Sequence, residues 1–262
     1  MRLLRAQSGD VAEADRLFSE YATRTDAPDA PLALEAYIQG KLRAIAPRAA
    51  AQTGAPAEES ALAIIEATAP NLHRAVDLWL VARSGRADQA QGRLWHAQVF
   101  FAQNKHPEGV AALREAVEIA PDSLEARFQL ALSVSLTDPD EARRHLEALA
   151  TSYPDNPFVR LGLANTYRML GRGPDARRIY EGLLTGPHRA DALVELGTLD
   201  MEEGKLSDAE PRLRAALEMA PNAPGTNVAM SRLHQLAGRP DEAAKYRKRF
   251  EELDAEQKKP RP

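Results

Sequence analysis

Apolar side chains recur at helical spacing along most of the chain, and prolines interrupt this pattern at regular distances. Four apolar segments of helical period span residues 110–119, 142–149, 176–184 and 209–219. Each is followed by a proline, and these prolines stand 33, 33 and 34 residues apart: Pro121, Pro154, Pro187 and Pro221. Proline lacks a backbone N–H and clashes with the preceding turn, so each proline is predicted to end a helix at the same phase of a repeat.

A second set of turn-forming residues lies midway between these prolines. It consists of Asn104-Lys105, Asp138-Pro139, Gly171-Arg172, Gly204-Lys205 and Gly238-Arg239. Such residues favour a helix C-cap or a tight turn. Prolines that suit the first positions of a following helix come at or just after them, at Pro107, Pro139, Pro174 and Pro240. One repeat is therefore predicted to contain two helices of about 14 residues, each roughly 20 Å long at ~1.5 Å rise per residue.

The repeat between residues 190 and 221 shows the pattern most clearly. Its Leu196-Gly197 pair, the small Ala209, the large Leu213 and the final proline resemble the signature of the tetratricopeptide repeat family. Gly197 is predicted to lie where helix A meets helix B, because a side chain there would push the two helices apart. The small position of helix B recurs at Ala14, Ala75, Gly109, Ala142, Ala176 and Ala243. The large position recurs at Phe18, Trp79, Leu113, Leu146, Tyr180 and Arg247, and the close-contact position of helix A at Ala97, Ala131, Ala164 and Ser231.

This resemblance implies an all-α fold, a right-handed superhelical solenoid of antiparallel helix pairs. The repeat domain is expected to span residues 1–254 with about six and a half repeats. The expected pairs are 1–8 with 10–24, 31–45 with 71–84, 87–104 with 107–119, 123–136 with 139–152, 156–170 with 173–185, 190–203 with 206–219, and 223–237 with 240–254. Residues 255–262 lack apolar periodicity and are predicted to be a disordered tail.

Three departures from the repeat pattern carry expectations of their own. The first is an insertion at 46–70, with a predicted loop over 46–56 and helical spacing over 57–68. It is either a tolerated surface insertion or a lid or contact surface for a partner. The first repeat has room only for the end of helix A, so four apolar residues would lack a neighbour: Leu3, Leu4, Leu17 and Phe18. That predicts a fragment of a larger array or self-association through this open N-terminal repeat. Arg247, at the large position of the last repeat, is expected to solvate the last helix.

Composition narrows the classes of function. The chain is 27% charged and 5% aromatic, has no cysteine and carries a formal net charge of −4. The missing cysteine excludes disulfides, zinc–thiolate sites and thiol nucleophiles, and the acidic balance argues against a nucleic-acid binder. No apolar stretch approaches the roughly 18–20 residues of a membrane span, and the charged N-terminus does not resemble a signal peptide. We therefore expect a soluble cytoplasmic protein, unless it is excised from a longer exported precursor. Abundant alanine, arginine and proline with sparse lysine indicate a bacterial source.

Catalytic motifs are missing from the sequence. The six histidines are scattered, without the spacing of a metal site, and no phosphate-binding glycine motif or nucleophile elbow occurs. The sequence therefore predicts no catalytic residue, no metal site and no cofactor, and a protein that is not an enzyme.

In the family, helix A of each repeat lines a concave groove, so the resemblance implies which side chains would meet a partner. They are Gln91, Leu94, Trp95, Gln98, Phe101, Glu125, Phe128, Phe158, Leu161, Asn165, Arg168, Asp191, Glu195 and Arg232. The aromatic members are either apolar anchors for a partner or ordinary packing between repeats. The carboxylates of the sixth repeat, with Arg168 and Arg232, are either a solvated face or a surface for a basic or mixed-charge segment.

The predicted function is a non-catalytic protein–protein interaction scaffold or adaptor, which presents the groove to a peptide or helix of a partner. Binding of chaperone tails, known for some members of the family, is disfavoured because Asp191 and Glu195 stand where cations would be needed. The alternative is an oligomerisation or structural module, or a fragment of a larger multidomain protein.

Overall fold

The computed structural model describes residues 11–21, 29–50, 56–83 and 85–257, and its regular structure over these residues is entirely helical. Helices α1 to α5 are Val11–Tyr21, Ala30–Ala50, Pro56–Ala82, Arg86–Ala102 and His106–Ile119. Helices α6 to α9 are Leu124–Val134, Pro139–Ser152, Pro157–Met169 and Gly173–Leu183. Helices α10 to α13 are Arg189–Glu202, Leu206–Met219, Pro224–Leu236 and Pro240–Gln257. The predicted all-α class of consecutive helix pairs is confirmed.

The chain divides into two compact units, residues 1–133 and 134–262. In the first unit, α2 packs against α1, α3 and α4, and α4 also packs against α3 and α5. Its core contains the fully buried Leu34, Tyr37, Ile38, Ile65 and Leu72. Long apolar side chains from successive helices thus fill one continuous interior.

Two apolar residues of the first helix pack against neighbouring side chains. Leu17 is buried in the core of the first unit, and the ring of Phe18 stacks on Tyr37 with centroids 4.6 Å apart. The prediction that Leu17 and Phe18 lack a neighbour is therefore wrong, because α1 packs against α2. Leu3 and Leu4 lie outside the described residues.

The inserted residues lengthen two helices: the first continues into the predicted loop 46–56, and the segment 57–68 predicted to be helical joins the expected helix 71–84. Helix α2 continues to Ala50, and α3 begins at Pro56 and runs through Pro70. Pro70 is tolerated inside α3 because its ring is exposed, so the carbonyl freed by the missing hydrogen bond is on the solvent side. Ile65 and Ala69 before it are buried in the core, which holds the helix in place.

In the second unit each helix from α7 to α13 packs against the next one, and a glycine sets the closest approach of α10 and α11. A Cβ built on Gly197 would lie 2.8 Å from the side chain of Leu213 and 3.4 Å from the carbonyl oxygen of Ala209. Both Ala209 and Leu213 are fully buried. The predicted role of Gly197 as the small residue between helix A and helix B is confirmed.

The turns between helix A and helix B share one backbone geometry in four repeats. Asn104, Gly171, Gly204 and Gly238 have φ angles of 59°, 72°, 76° and 69°. At each turn the N–H of the next residue donates to a carbonyl five residues earlier, as from Lys105 to Phe100. This is the Schellman C-cap, which confirms the C-caps predicted at these four positions. The fifth turn differs, since Asp138 caps the start of α7 by accepting a hydrogen bond from the N–H of Glu141.

Ion pairs cross the boundaries between repeats in the second unit. Asp200 of α10 is only 1% exposed and lies between Arg177 of α9, at 2.8 Å, and Arg212 of α11. Glu210 of α11 lies 2.8 Å from Arg239, at the turn before α13. Hydrogen bonds from Arg239 and Arg214 lower the pKa of Glu210 to about 2. Each of these carboxylates links helices that lie in different repeats.

The last helix extends past the predicted end of the repeat domain at residue 254, since α13 reaches Gln257. Residues 258–262 lie outside the described residues. Arg247 on this helix is exposed, as predicted. No helix in the described part of the chain combines the length and the apolar character that crossing a bilayer needs.

Candidate functional site

The candidate site is one face of the three A helices of the second unit. Helix α10 contacts both α8 and α12, so the three helices form a layer. Residues three, four or seven positions apart fall on one side of a helix and define a stripe on each. We call these residues the A stripe: Phe158, Leu161, Asn165, Arg168 and Met169 on α8; Asp191, Glu195, Thr198 and Glu202 on α10; and Val228, Arg232 and Leu236 on α12.

Apolar surface is concentrated on the A stripe. Among the described residues of α8, α10 and α12, the large exposed apolar side chains are Phe158, Met169, Val228 and Leu236, and all four lie on the stripe. Phe158 is 57% exposed and packs edge-on against His188, with ring centroids 4.8 Å apart. Exposed apolar side chains gathered on one face are typical of a contact surface.

The polar residues of α8 and α10 are paired with each other across the A stripe. Arg168 lies 2.7 Å from Glu202 and 3.6 Å from Glu195, so a single guanidinium connects two carboxylates of the next A helix. Burial raises the pKa of Glu195, and the charge of Arg168 opposes that rise. This cluster orients α10 against α8, and Asp191 lies outside it, exposed and 3.1 Å from His188.

The two remaining polar members of the A stripe differ in how firmly they are held. Asn165 accepts a hydrogen bond of 2.6 Å from the hydroxyl of Tyr180, which fixes its side-chain amide. Arg232 is exposed and forms no ion pair within the described part of the chain. Leu161 is half-buried against the cluster that contains Ala164 and Tyr180. The structure therefore brings together the predicted residues of α8, α10 and α12.

The predicted residues of α4 are placed differently, because this helix joins the core of the first unit. Trp95 is 6% exposed and packs edge-on against Trp79 at 4.8 Å, so of the two alternatives for this residue, an anchor for a partner or packing between repeats, the structure shows packing. Leu94 is also buried, and the ring of Phe101 covers Gly109 of α5. Packing against α3 on one side and α5 on the other explains these positions.

The other predicted residues of the first unit keep part of their surface. Gln91, Gln98 and Phe128 are half-buried, and Glu125 is exposed. They lie on α4 and α6, in a different unit from the A stripe.

Two groups of polar residues, each with one buried member, were not found from the sequence. One is Asp200 with its two arginines, and the other is His73 with His96 in the first unit, whose Nδ1 atoms lie 2.7 Å apart. His73 and His96 are 23 positions apart, as are Arg177 and Asp200, and Arg212 lies 12 positions after Asp200 on another helix, so no local motif reveals these pairings. Within the described residues, no group of three or more histidine and carboxylate side chains is arranged to hold a metal ion.

Comparison with known proteins identifies the repeat. Residues 134–196 and 200–256 match the tetratricopeptide repeat family. No curated protein sequence matches the chain significantly.

Solved structures share the fold at low sequence identity. A tetratricopeptide repeat protein from Parabacteroides merdae has a TM-score of 0.61 at 14% identity, over 92% of this chain and 97% of that one. A thermophilic TPR protein from Thermus thermophilus has a TM-score of 0.54 at 21% identity, covering 64% and 96% of the two chains. The MamA 41-end protein from Desulfovibrio magneticus has a TM-score of 0.52 at 15% identity, covering 67% and 100%. Residues 134–196 and 200–256 therefore carry the sequence signature of the tetratricopeptide repeat family, and the chain shares the fold of solved tetratricopeptide repeat proteins.

Proposed function

We propose that this protein is a non-catalytic interaction scaffold that binds a peptide or helix of a partner protein along the A stripe. The observation that carries the proposal is the position of the large exposed apolar side chains of α8 and α12, all four of which lie on the stripe. Leaving four large apolar groups in water on one face is unfavourable, and covering them stabilises a complex.

The chemistry of the stripe defines the kind of segment that would bind. Phe158 and Met169 offer apolar contacts on α8, and Val228 and Leu236 offer them on α12. Between them, α10 presents the exposed Asp191. A complementary segment therefore carries apolar side chains toward both ends and a basic side chain near its middle.

The polar residues act in two ways in this proposal. Arg168 and Glu195 are already paired, so they hold α8 and α10 in place and contact the partner only as a pair. Asn165 is oriented by Tyr180 and offers its amide N–H groups to a partner carbonyl, which would fix the register of the segment.

In the first unit, the side chains that keep exposed surface extend the proposal to a second contact area. These are Gln91, Gln98, Glu125 and Phe128. Leu94, Trp95 and Phe101 act there through packing. The alternative of self-association through the first repeat is weakened, since Leu17 is buried and Phe18 stacks on Tyr37.

A displayed library of random peptides, selected on the full chain, tests the proposal. Selected peptides are measured by calorimetry against the wild type and against Phe158→Ser/Met169→Ser, which removes the apolar contacts of α8. We expect about tenfold weaker binding or more, equivalent to about 1.4 kcal/mol.

The matched control is Tyr153→Ser/Met219→Ser, which removes an exposed aromatic residue and an exposed methionine outside the A helices. Binding to this control should equal that of the wild type, and circular dichroism should show the same helicity for all three proteins. A library that yields no binder, or binders equally weakened by both double variants, would overturn the proposal.

A further inference from the structure

A cleft lies between the last two helices of the second unit. It has a volume of about 350 Å³ and is open to solvent. Its walls are Val228, Ser231, Arg232 and Gln235 from α12, with Arg247 and Phe250 from α13. The cleft shares Val228 and Arg232 with the A stripe, but it opens between an A helix and a B helix, so its remaining walls lie outside the stripe.

The same position is filled by a helix one repeat earlier. A shift of 34 residues places α12 and α13 on α10 and α11, with Arg247 falling on Leu213 and Gln235 on Met201. Leu213 and Met201 are buried in one cluster with Met230 of α12. Helix α12 thus covers this position between α10 and α11.

Two repeats earlier, a helix also fills the equivalent position, and there it forms an ion pair in addition to apolar contacts. A shift of 67 residues places Arg247 on Tyr180 and Gln235 on Arg168. Tyr180 packs with Leu196 of α10, and Arg168 pairs with Glu202 of the same helix at 2.7 Å. The helix that occupies this position therefore contributes both apolar and carboxylate side chains.

In the last repeat, no described helix covers the cleft, and its lining residues differ from those at the same position in the preceding repeats. Arg232 stands where the two preceding repeats have Asn165 and Thr198. Arg247 stands where they have Tyr180 and Leu213. Both arginines are exposed, and neither forms an ion pair within the described part of the chain. Val228 is exposed beside them, and Phe250 is half-buried. The surface thus keeps an apolar strip and adds two cations that no described carboxylate pairs.

We propose that this cleft binds an amphipathic helix of a partner protein, which takes the place that α10 and α12 occupy in the preceding repeats. The bound helix places aliphatic side chains against Val228 and Phe250, and it pairs carboxylates with Arg232 and Arg247. The last residues of this chain, Lys258-Lys-Pro-Arg-Pro262, are basic and contain two prolines, so they match neither requirement.

Two libraries of displayed helical peptides test this inference. Both have leucine on one face at helical spacing, and they differ only in the flanking residues, which are glutamate in one and lysine in the other. We expect enrichment of the glutamate library on the full chain. Arg232→Glu/Arg247→Glu should weaken binding of the enriched peptides about tenfold or more, because like charges then face each other.

Two control variants separate this inference from the proposed function. Lys248→Glu changes the charge of an exposed neighbour on α13 outside the cleft, and it should leave binding unchanged. Phe158→Ser/Met169→Ser impairs the A stripe on α8 and should also leave it unchanged. The inference is overturned if the glutamate library is not enriched, if the lysine library is enriched equally, or if the double arginine variant binds as well as the wild type.

Sedimentation of the chain alone tests a different occupant. A monomer whose sedimentation is the same in wild type and Arg232→Glu/Arg247→Glu supports a partner helix. A dimer that dissociates in the double variant would mean that a second copy of this chain fills the cleft, which overturns the proposal.

Discussion

His73 Nδ1 lies 2.7 Å from His96 Nδ1, so one imidazole donates a hydrogen bond and the other accepts it. The rings are stacked with centroids 4.9 Å apart, and Asp77 lies 3.3 Å from Nε2 of His96. Burial lowers the pKa of both histidines, that of His96 to about 4, where the nearby His73 lowers it further and Asp77 opposes this. The folded first unit therefore favours the neutral pair.

This pair predicts that acid destabilises the first unit. An unfolded histidine has a pKa of about 6.5, so between that pH and about 4 the unfolded chain binds more protons than the folded one. Stability is therefore fully present above the unfolded pKa and is lost as the pH falls toward 4. We expect a lower unfolding temperature at about pH 5 than at about pH 7.5, measured by circular dichroism.

The variant His73→Gln/His96→Gln should lose part of this pH dependence, because glutamine does not titrate in this range. His106→Gln, which replaces an exposed histidine of the same unit, serves as the control. An equal drop in unfolding temperature for the double variant and for wild type would contradict the prediction.

Gly197→Ala should destabilise the second unit by about 1–3 kcal/mol, the usual cost of overpacking a filled core. The added Cβ would meet the buried Leu213 at 2.8 Å, and the carbonyl of Ala209 limits movement on the other side. Gly225→Ala is the matched control, since its Cβ would meet no atom within 4 Å. The measurement is the midpoint of urea unfolding, and equal midpoints for the two variants would exclude the steric role of Gly197.

Asp200→Asn should lower the free energy of unfolding by about 2 kcal/mol, because it weakens two charge-assisted hydrogen bonds to a buried carboxylate. Arg177 and Arg212 are only partly exposed and would lose their common partner. Glu218→Gln, on the exposed surface of α11, controls for the loss of one negative charge. Denaturant titration of both variants measures the free energy of unfolding. If Asp200→Asn loses no more of it than the control does, Asp200 does not contribute to stability through its two ion pairs.

Asn104→Ala should destabilise the first unit by about 1 kcal/mol, whereas Asn104→Gly should leave it unchanged or slightly more stable. The reason is the φ angle of 59°, which asparagine and glycine adopt more readily than alanine. The other three turns of this kind already have glycine: Gly171, Gly204 and Gly238. The measurement is the thermal unfolding temperature of the two variants. The prediction fails if Asn104→Ala unfolds at the same temperature as Asn104→Gly.

The repeat was predictable from the sequence because its strongest constraints are local. Gly197, Ala209 and the turn residues each have a required size or backbone angle, and that requirement appears in the residue type itself. Proline was less reliable: Pro70 separates the predicted helical segments 57–68 and 71–84 in the sequence, but it lies inside one continuous helix, α3, where it is exposed to solvent. Its effect depends on which side of the helix it occupies, and this is a property of the folded chain.

The candidate site was only partly predictable, because exposure depends on neighbouring helices. Phe158 and Trp95 were both assigned to the groove side of helix A, yet Phe158 is exposed and Trp95 is buried against Trp79. The difference lies in α3, whose aromatic side chain reaches α4. Similarly, Arg168 was expected to contact a partner, but carboxylates of the next helix already bind it.

The ion pairs that cross repeat boundaries also affect how the second unit unfolds. A stack held only by apolar contacts between neighbours tends to fray from its ends, one repeat at a time. Here Arg168 with Glu202, Asp200 with its two arginines, and Glu210 with Arg239 tie each repeat to the next. Opening one repeat would leave charges without partners in the adjacent one, so backbone amides of α8 to α12 should exchange with solvent through a common, cooperative opening.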